Sequence, residues 1–441
     1  MRRFINRKWL VLGLLLILGG LTRFWRLNFP AQPYFDEVYY VPAARLMANN
    51  DPRVYEWWHS PIFGSNYHDW LHPPVAKLLQ AGSIKILGDT PFAWRLPSAL
   101  ASLGVAILIF KLALKIFADS CSSKQARAIA SLASLLFLLD GLALTLSRIA
   151  MNDMVTTFFM LLGLWFLLQW QPQLLSFKLK RFERNSNLNL LLTGIFLGLA
   201  LATKWSAVFL IVFFLLLMVW LLVEKRLWRL LPLTFFSLVM VPFLIYVVTY
   251  SQMFAQGKSF DYFLELHQQV YWYQTTGVQA HRYHSEPLLW LTNLRPVWLW
   301  TDVTAGNDFT ANIYVLGNPV LQWLAVLAVI FMIGRVVANQ VKTPLARINL
   351  SLLMLYGCVW LPWLVAPRPM FYYHYLPAIP FLMIILAEFL VIELKKVSLK
   401  AFWLALSLII VSFIIYLPHW LGLSVSKIWA DAVYFGVTSW R

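Results

Sequence analysis

A chain of 441 residues that is 60% hydrophobic, 16% aromatic and only 12% charged cannot clothe itself in a hydrated surface, which excludes a soluble globular protein. Its formal net charge of +17 calls for no nucleic-acid partner. Cations held on the cytoplasmic side of a membrane protein, facing anionic lipid, account for such an excess.

Apolar runs near the length of a spanning helix recur along the chain and predict about eleven transmembrane helices. The first is predicted at 9–26. An Arg-rich start precedes it, as in a secretory leader, but Arg23-Phe24-Trp25-Arg26 follows where a small-residue cleavage site would stand, so the segment is read as a retained helix. A long connection, 27–93, comes next and carries two adjacent carboxylates, Asp36 and Glu37. Ionisable groups beside membrane spans are costly and mark a functional site. Spans follow at 94–117, 127–146, 149–170, 190–203, 205–223 and 230–250, with Lys204 interrupting an otherwise continuous fifth and sixth. A second long connection covers 251–317, and spans at 318–338, 347–366, 374–392 and 400–418 complete the series.

Both long connections are rich in Trp, Tyr, Pro and His, which suits the lipid headgroup level, and they read as partly helical caps over an outward-facing cavity. Lys and Arg concentrate in alternate connections, among them Lys111, Lys115, Lys178, Lys180, Lys225, Arg226, Lys395 and Lys396. That asymmetry predicts a cytoplasmic N-terminus and two extracytoplasmic long connections. No internal repeat or soluble module is visible, so residues 1–441 read as one membrane domain. Cys121, on the inner side, and Cys358, inside a predicted helix, suggest neither a disulfide nor a thiolate metal site.

This topology gathers Asp36, Glu37, Asp69, His72, Lys77, Asp140, Arg148, Asp153, Lys204, Arg368 and His374 at the outer face. A carboxylate there can accept the proton of a hydroxyl that attacks an activated sugar. Arg and Lys beside it would stabilise a phosphate leaving group. No Gly-rich phosphate loop or repeated Asp-x-Asp set occurs, so neither a nucleotide site nor a metal ion is expected. Plainer readings compete. Asp36 and Glu37 could be acids at a helix start. Arg95 and Arg148 could be structural partners of Asp140 and Asp153, and Lys204 could reach for headgroups. His72 and His281 could be loop histidines. The aromatic excess suits an interfacial belt as well as stacking of Trp57, Trp58, Trp70 or Tyr67 on a sugar ring. A transporter would place charges at mid-bilayer on broken helices, whereas these cluster at helix ends on one side.

The runs Phe35-Asp36-Glu37-Val38, His72-Pro73-Pro74-Val75-Ala76-Lys77 and Trp94-Arg95-Leu96-Pro97 resemble the first loop of the protein O-mannosyltransferases. Further similar segments follow in the same order: Leu139-Asp140 with Ser147-Arg148 and Asp153, Ala202-Thr203-Lys204-Trp205, Arg295-Pro296-Val297-Trp298, Gly317-Asn318-Pro319-Val320 and Tyr373-His374-Tyr375-Leu376-Pro377-Ala378. The resemblance spans nearly the whole chain. It implies an all-α integral membrane protein of the C-type glycosyltransferase architecture, with its active site on the non-cytoplasmic side. It also implies a polyprenyl-phosphate mannose donor and a Ser or Thr hydroxyl of a secreted or membrane protein as acceptor, with transfer inverting the sugar carbon and no cofactor. Carried over by residue, Asp36 becomes the general base and Glu37 its orienting partner or the acceptor's. His72, Lys77, Arg95, Arg148, Asp153, Lys204, Arg368 and His374 become substrate-binding groups, with Lys204, Arg148 and His374 assigned to the carrier phosphate. Eukaryotic members insert a β-trefoil module in the second long loop. Residues 251–317 leave no room for it, which fits a bacterial member of the inner membrane. The resemblance leaves open a glycolipid or polysaccharide acceptor, as in the aminoarabinose transferases of the same superfold.

Overall fold

The computed structural model describes residues 7–440 apart from 61–67, 172–173, 177–186, 277–281, 304–305, 307 and 367. Tyr67, His281, Lys178 and Lys180 lie outside the described residues.

Local signals start the helices. Thr90 accepts a hydrogen bond from Ala93 N ahead of α4 (Pro91–Phe117), Ser122 and Gln125 close a capping box on α5 (Ser123–Leu138), and Asn318 caps α15 (Pro319–Asn339). Thr343 and Ser398 do the same for α16 (Pro344–Trp360) and α19 (Leu399–Leu421). Each cap satisfies an amide that lipid could not. In chain order the remaining helices are α1 (Arg7–Phe24), α2 (Glu37–Ala48), α3 (Val75–Leu87), α6 (Gly141–Leu146), α7 (Asp153–Trp170), α8 (Asn187–Leu201), α9 (Val208–Glu224), α10 (Leu231–Phe235), α11 (Val241–Val248), α12 (Ser251–Ala255), α13 (Phe260–Thr276), α14 (Pro287–Trp290), α17 (Ile379–Glu388), α18 (Lys395–Val397) and α20 (Lys427–Trp429).

Among the described residues, 8 helical runs are long and apolar enough to cross a membrane, and α1 and α8 contribute shorter apolar helices. Most predicted spans have a helical counterpart within a few residues. Two differ for a physical reason. The span expected at 127–146 stops at Leu138, because the buried Asp140 carboxylate accepts from Ala143 N and starts α6 as a separate turn. The span expected at 149–170 begins only at Asp153.

The long connections hold more than the helices expected of them. The first supplies α2 and α3. The second supplies α12, α13 and α14, then two strands, β1 (Val297–Thr301) and β3 (Asn312–Val315), paired antiparallel with a bulge between Trp298 and Trp300. A second two-residue pairing joins β2 (Phe309–Thr310) to β4 (Val425–Ser426). One hydrophobic core runs from Leu12 to Leu421 through the helices. A smaller cluster, including Met47, Tyr55, Ala202, Tyr250 and Phe263, binds α2 and α13 to the ends of α8 and α11.

Candidate active site

Asp36 and Glu37 are neighbours in sequence that part in space. Phe35 holds a left-handed backbone, φ 50°, an unfavourable conformation for a bulky residue that clusters at functional sites. The turn aims the chain into α2, and successive helical residues point about 100° apart, so one acid faces the core and the other the charged groups of Asp153, Lys204, Asp69 and Arg368.

Glu37 is fully buried. Arg95 grips it through Nε and Nη2, each 2.8 Å from a carboxylate oxygen, and Ala150 N donates to Oε1 at 2.9 Å. Arg95 Nη1 also donates to the carbonyls of Leu27 and Pro30 at 3.0 and 2.9 Å. This corrects two expectations: Glu37 does not reach toward Asp36, and Arg95 is occupied inside the protein rather than free for substrate. Arg148 is corrected likewise. Its guanidinium caps the end of α1, donating to Thr22, Arg23, Trp25 and Arg26 carbonyls at 2.8–3.2 Å. Those are the carbonyls a helix end leaves without intrahelical partners. Neither Arg pairs with Asp140 or Asp153, as the plainer reading had supposed.

The other predicted residues gather around Asp36. Lys204 donates to Asp153 Oδ1 at 2.7 Å, and its Nζ lies 5.5 Å over the Tyr373 ring. Phe35 meets the same ring edge-on at 6.0 Å. Lys77 donates to Asp69 Oδ2 at 2.8 Å and to the carbonyls of Asp69 and His72 at 2.8 and 2.7 Å. His72 Nδ1 stands 2.9 Å from Asp69 Oδ1 and 3.2 Å from Tyr40 Oη. Burial opposes ionisation of Asp69, but Lys77 and His72 outweigh it and hold its carboxyl well below the usual range. His374 is buried, with Nδ1 3.0 Å from the Phe371 carbonyl, and packs on Trp363 and Tyr373 at 4.5 and 4.6 Å. Arg368 lines a cavity of about 360 Å³ with His284, Glu286, Trp363 and Met370.

Asp36 itself is half-buried, and among the described residues its carboxylate has no hydrogen-bond or ion-pair partner. Burial pushes its pKa up to about 7, assisted by the charges of Asp153 and Asp69 and opposed by Lys204 and Arg368. Three further buried polar atoms are open there: Asp153 Oδ2, Asn152 Oδ1 and Arg368 Nε. Buried polar groups are rarely left so, and a cluster of them at one carboxylate marks a place for ligand. Sequence reasoning missed Asn152 and Tyr40, whose groups meet at 3.3 Å. Tyr40 sits four residues after Asp36, on the same helix face, which is the one signal that could have found it. Burial and the charges of Asp69, Asp36 and Asp153 keep its phenol neutral. Among the described residues no group of three or more His, Cys, Asp or Glu could hold a metal ion.

Residues 13–255 match the family model described as dolichyl-phosphate-mannose-protein mannosyltransferase, and residues 259–434 match the C-terminal four-helix region of protein O-mannosyltransferase. A polyprenol-phosphate-mannose–protein mannosyltransferase of Corynebacterium glutamicum is 26% identical, over 86% of this chain and 81% of that protein. One of Mycobacterium tuberculosis is 25% identical, over 99% and 92%. The fold is similar to that of the Saccharomyces cerevisiae protein O-mannosyltransferase Pmt1-Pmt2 complex bound to the sugar donor: TM-score 0.76, 15% identity, 95% of this chain and 91% of that one. It is also similar to that of ArnT from Cupriavidus metallidurans bound to undecaprenyl phosphate, with TM-score 0.59, 16% identity, and coverage of 90% and 62%.

Proposed function

The chain belongs to the dolichyl-phosphate-mannose-protein mannosyltransferase family, and on that premise we propose that it moves mannose from a polyprenyl-phosphate carrier to a protein hydroxyl by one in-line displacement, with Asp36 as general base. It is a membrane glycosyltransferase. Asp36 takes the proton of a Ser or Thr hydroxyl as that oxygen bonds to the mannose anomeric carbon. The bond from that carbon to the carrier phosphate breaks, its electron pair leaves with the phosphate, and the sugar carbon inverts.

The observation that carries this reading is the unpartnered Asp36 carboxylate with its pKa raised to about 7. A base of that strength is ionised near neutral pH and still able to accept a proton. Lys204 and the open Arg368 Nε would meet the charge that develops on the departing phosphate. Asp153 Oδ2 and Asn152 Oδ1 suit the hydroxyls of a sugar. His72 and Lys77 act one layer out, fixing Asp69, and His374 with Tyr373 supplies the wall. Lys204 pairs with Asp153 and Lys77 with Asp69, so of these three acids Asp36 alone has no cationic partner among the described residues.

An apolar groove of about 460 Å³ lined by Phe213, Met354, Gly357, Cys358, Leu361 and Pro362 is the surface we assign to the carrier's hydrocarbon, since Pro362 is followed in the chain by Trp363, which packs on His374. The topology proposed from the charge pattern has a cytoplasmic N-terminus, about eleven crossings and a chamber on the extracytoplasmic side of a bacterial plasma membrane, where exported proteins are the acceptors. A glycolipid acceptor is disfavoured, because the relatives that cover most of the chain are protein mannosyltransferases.

The test is transfer from polyprenyl-phosphate mannose to a Ser/Thr-rich peptide by the purified protein in lipid. Asp36→Asn is expected to lower kcat by about 100-fold or more while donor binding stays near that of the native chain. Unchanged turnover would remove Asp36 as the base.

A further inference from the structure

Lys204 sits in the short turn between α8 and α9, and both sides of that turn are tied down. On one side Val75 N donates to Ala202 O at 3.0 Å. On the other, the indole Nε1 of Trp205 donates to Tyr246 Oη at 2.9 Å. Tyr246 Oη is a hub, also 3.3 Å from Tyr250 Oη and 2.7 Å from His267 Nε2.

The proton positions in this hub follow from the acceptors. His267 Nδ1 lies 2.7 Å from the Phe263 carbonyl, which can only accept, so Nδ1 carries the hydrogen. Burial lowers the pKa of His267 and keeps the ring neutral. Nε2 is then an acceptor. Tyr246 gives its single proton to His267 and accepts from Trp205 and Tyr250, so the hub is saturated. Trp205 and His267 also stack, with ring centres 6.2 Å apart and planes 20° apart. Apart from the Tyr262 hydroxyl, which donates to the Tyr55 carbonyl at 2.7 Å, the remaining hold of α13 is largely apolar, through Phe263, Leu266 and Val270. His267 is thus a directional bond from α13 toward the residue that follows Lys204.

We infer that His267 is a positioning residue for donor binding: through Tyr246 and Trp205 it fixes the turn that presents Lys204 to the carrier phosphate, so that docking of α13 sets donor affinity. The inference rests on the reaction proposed above. Removing the acceptor leaves Tyr246 with a proton and no place for it, and the hub loosens by the worth of a buried hydrogen bond.

Two readouts on the full chain in lipid test it. The first is acetylation of Lys204 by an amine-reactive anhydride, read by peptide mass spectrometry with Lys77 as internal reference. His267→Leu and Trp205→Phe are each expected to raise Lys204 acetylation relative to Lys77 by about two- to tenfold. The second is kinetic. The same variants should lower kcat/KM for polyprenyl-phosphate mannose by a similar factor or more, because Lys204 holds the carrier phosphate and also meets its developing charge as it leaves. His267→Gln, whose Oε1 can take the Tyr246 proton, should restore both readouts. Unaltered Lys204 acetylation in both Leu and Phe variants overturns the inference, whatever the kinetics show. A native chain that transfers no mannose would instead overturn the reaction, and the acetylation ratio would still decide the role of His267.

Discussion

At the scale of the residue, two adjacent acids divide the labour of building a site and running it. Asp36 keeps an open carboxylate with a pKa near 7, and a base must be deprotonated to work. Below that value its protonated fraction grows, so kcat with saturating donor should fall about tenfold per pH unit on acidification and level off above about 7. A kcat flat between pH 5 and 8 would contradict the assignment. Glu37 does the opposite work. Its buried pair with Arg95 joins the first long connection to α4, and removing one partner strands a charge in the core, a loss of about 3–5 kcal/mol. Glu37→Gln and Arg95→Ala should each lower the thermal midpoint in detergent, and Arg95→Lys should not rescue it, since an ammonium cannot span both carboxylate oxygens. An Arg95→Lys midpoint equal to that of the native chain would count against the bidentate pair. The sequence made the acid pair conspicuous but could not apportion it. It shows that a buried charge needs a partner and leaves that partner to the fold, which is why the sequence reading makes Arg95 a substrate-binding group and Arg148 a phosphate ligand and passes over Asn152 and Tyr40.

At the scale of the element, hydropathy made the spans legible and small residues decide how they cross. On α8, Gly194 and Gly198 lie one turn apart against the segment that runs from α10 to α11. A Cβ at Gly194 would stand 1.9 Å from Ser237 O, and one at Gly198 would stand 2.9 Å from Pro242 Cα. Both obstacles are backbone, so the helices must move apart rather than rotate a side chain. Gly194→Ala should therefore cost about 1–3 kcal/mol and lower the thermal midpoint. Gly334→Ala on α15, where nothing lies within 4 Å, is the matched control and should leave it unchanged. Equal midpoints for the two variants would refute the close crossing. Breaks and strands were the less legible elements. Asp140 ends a run that hydropathy alone would continue, and β1 owes its pairing to β3, a partner more than ten residues away that no local window contains.

At the scale of the whole molecule, the site and the lysines Lys111, Lys115 and Lys225 occupy opposite ends of the same helices. Asp153 opens α7 beside Lys204, whereas the far end of α7 places Trp165 within 5.3 Å of Lys111. Arg95 lies in the first turns of α4, and Lys115 lies in its last. Lys204 precedes α9, and Lys225 follows it. An 18-residue helix is about 27 Å long, near the thickness of the hydrocarbon layer, so helices that cross as proposed would hold the site and the cationic ends at different leaflets. In the topology proposed above, cations stay on the cytoplasmic side and Asp36 lies outside, where a carrier already loaded with sugar would supply an activated bond without a nucleotide. Topology labelling tests this directly. With Cys121 and Cys358 replaced by Ser, a single cysteine at the exposed position 282 should react with a membrane-impermeant maleimide on intact cells. A cysteine at the exposed position 224 should react only after permeabilisation. The reverse pattern would place the chamber in the cytoplasm and remove the route by which exported proteins reach Asp36.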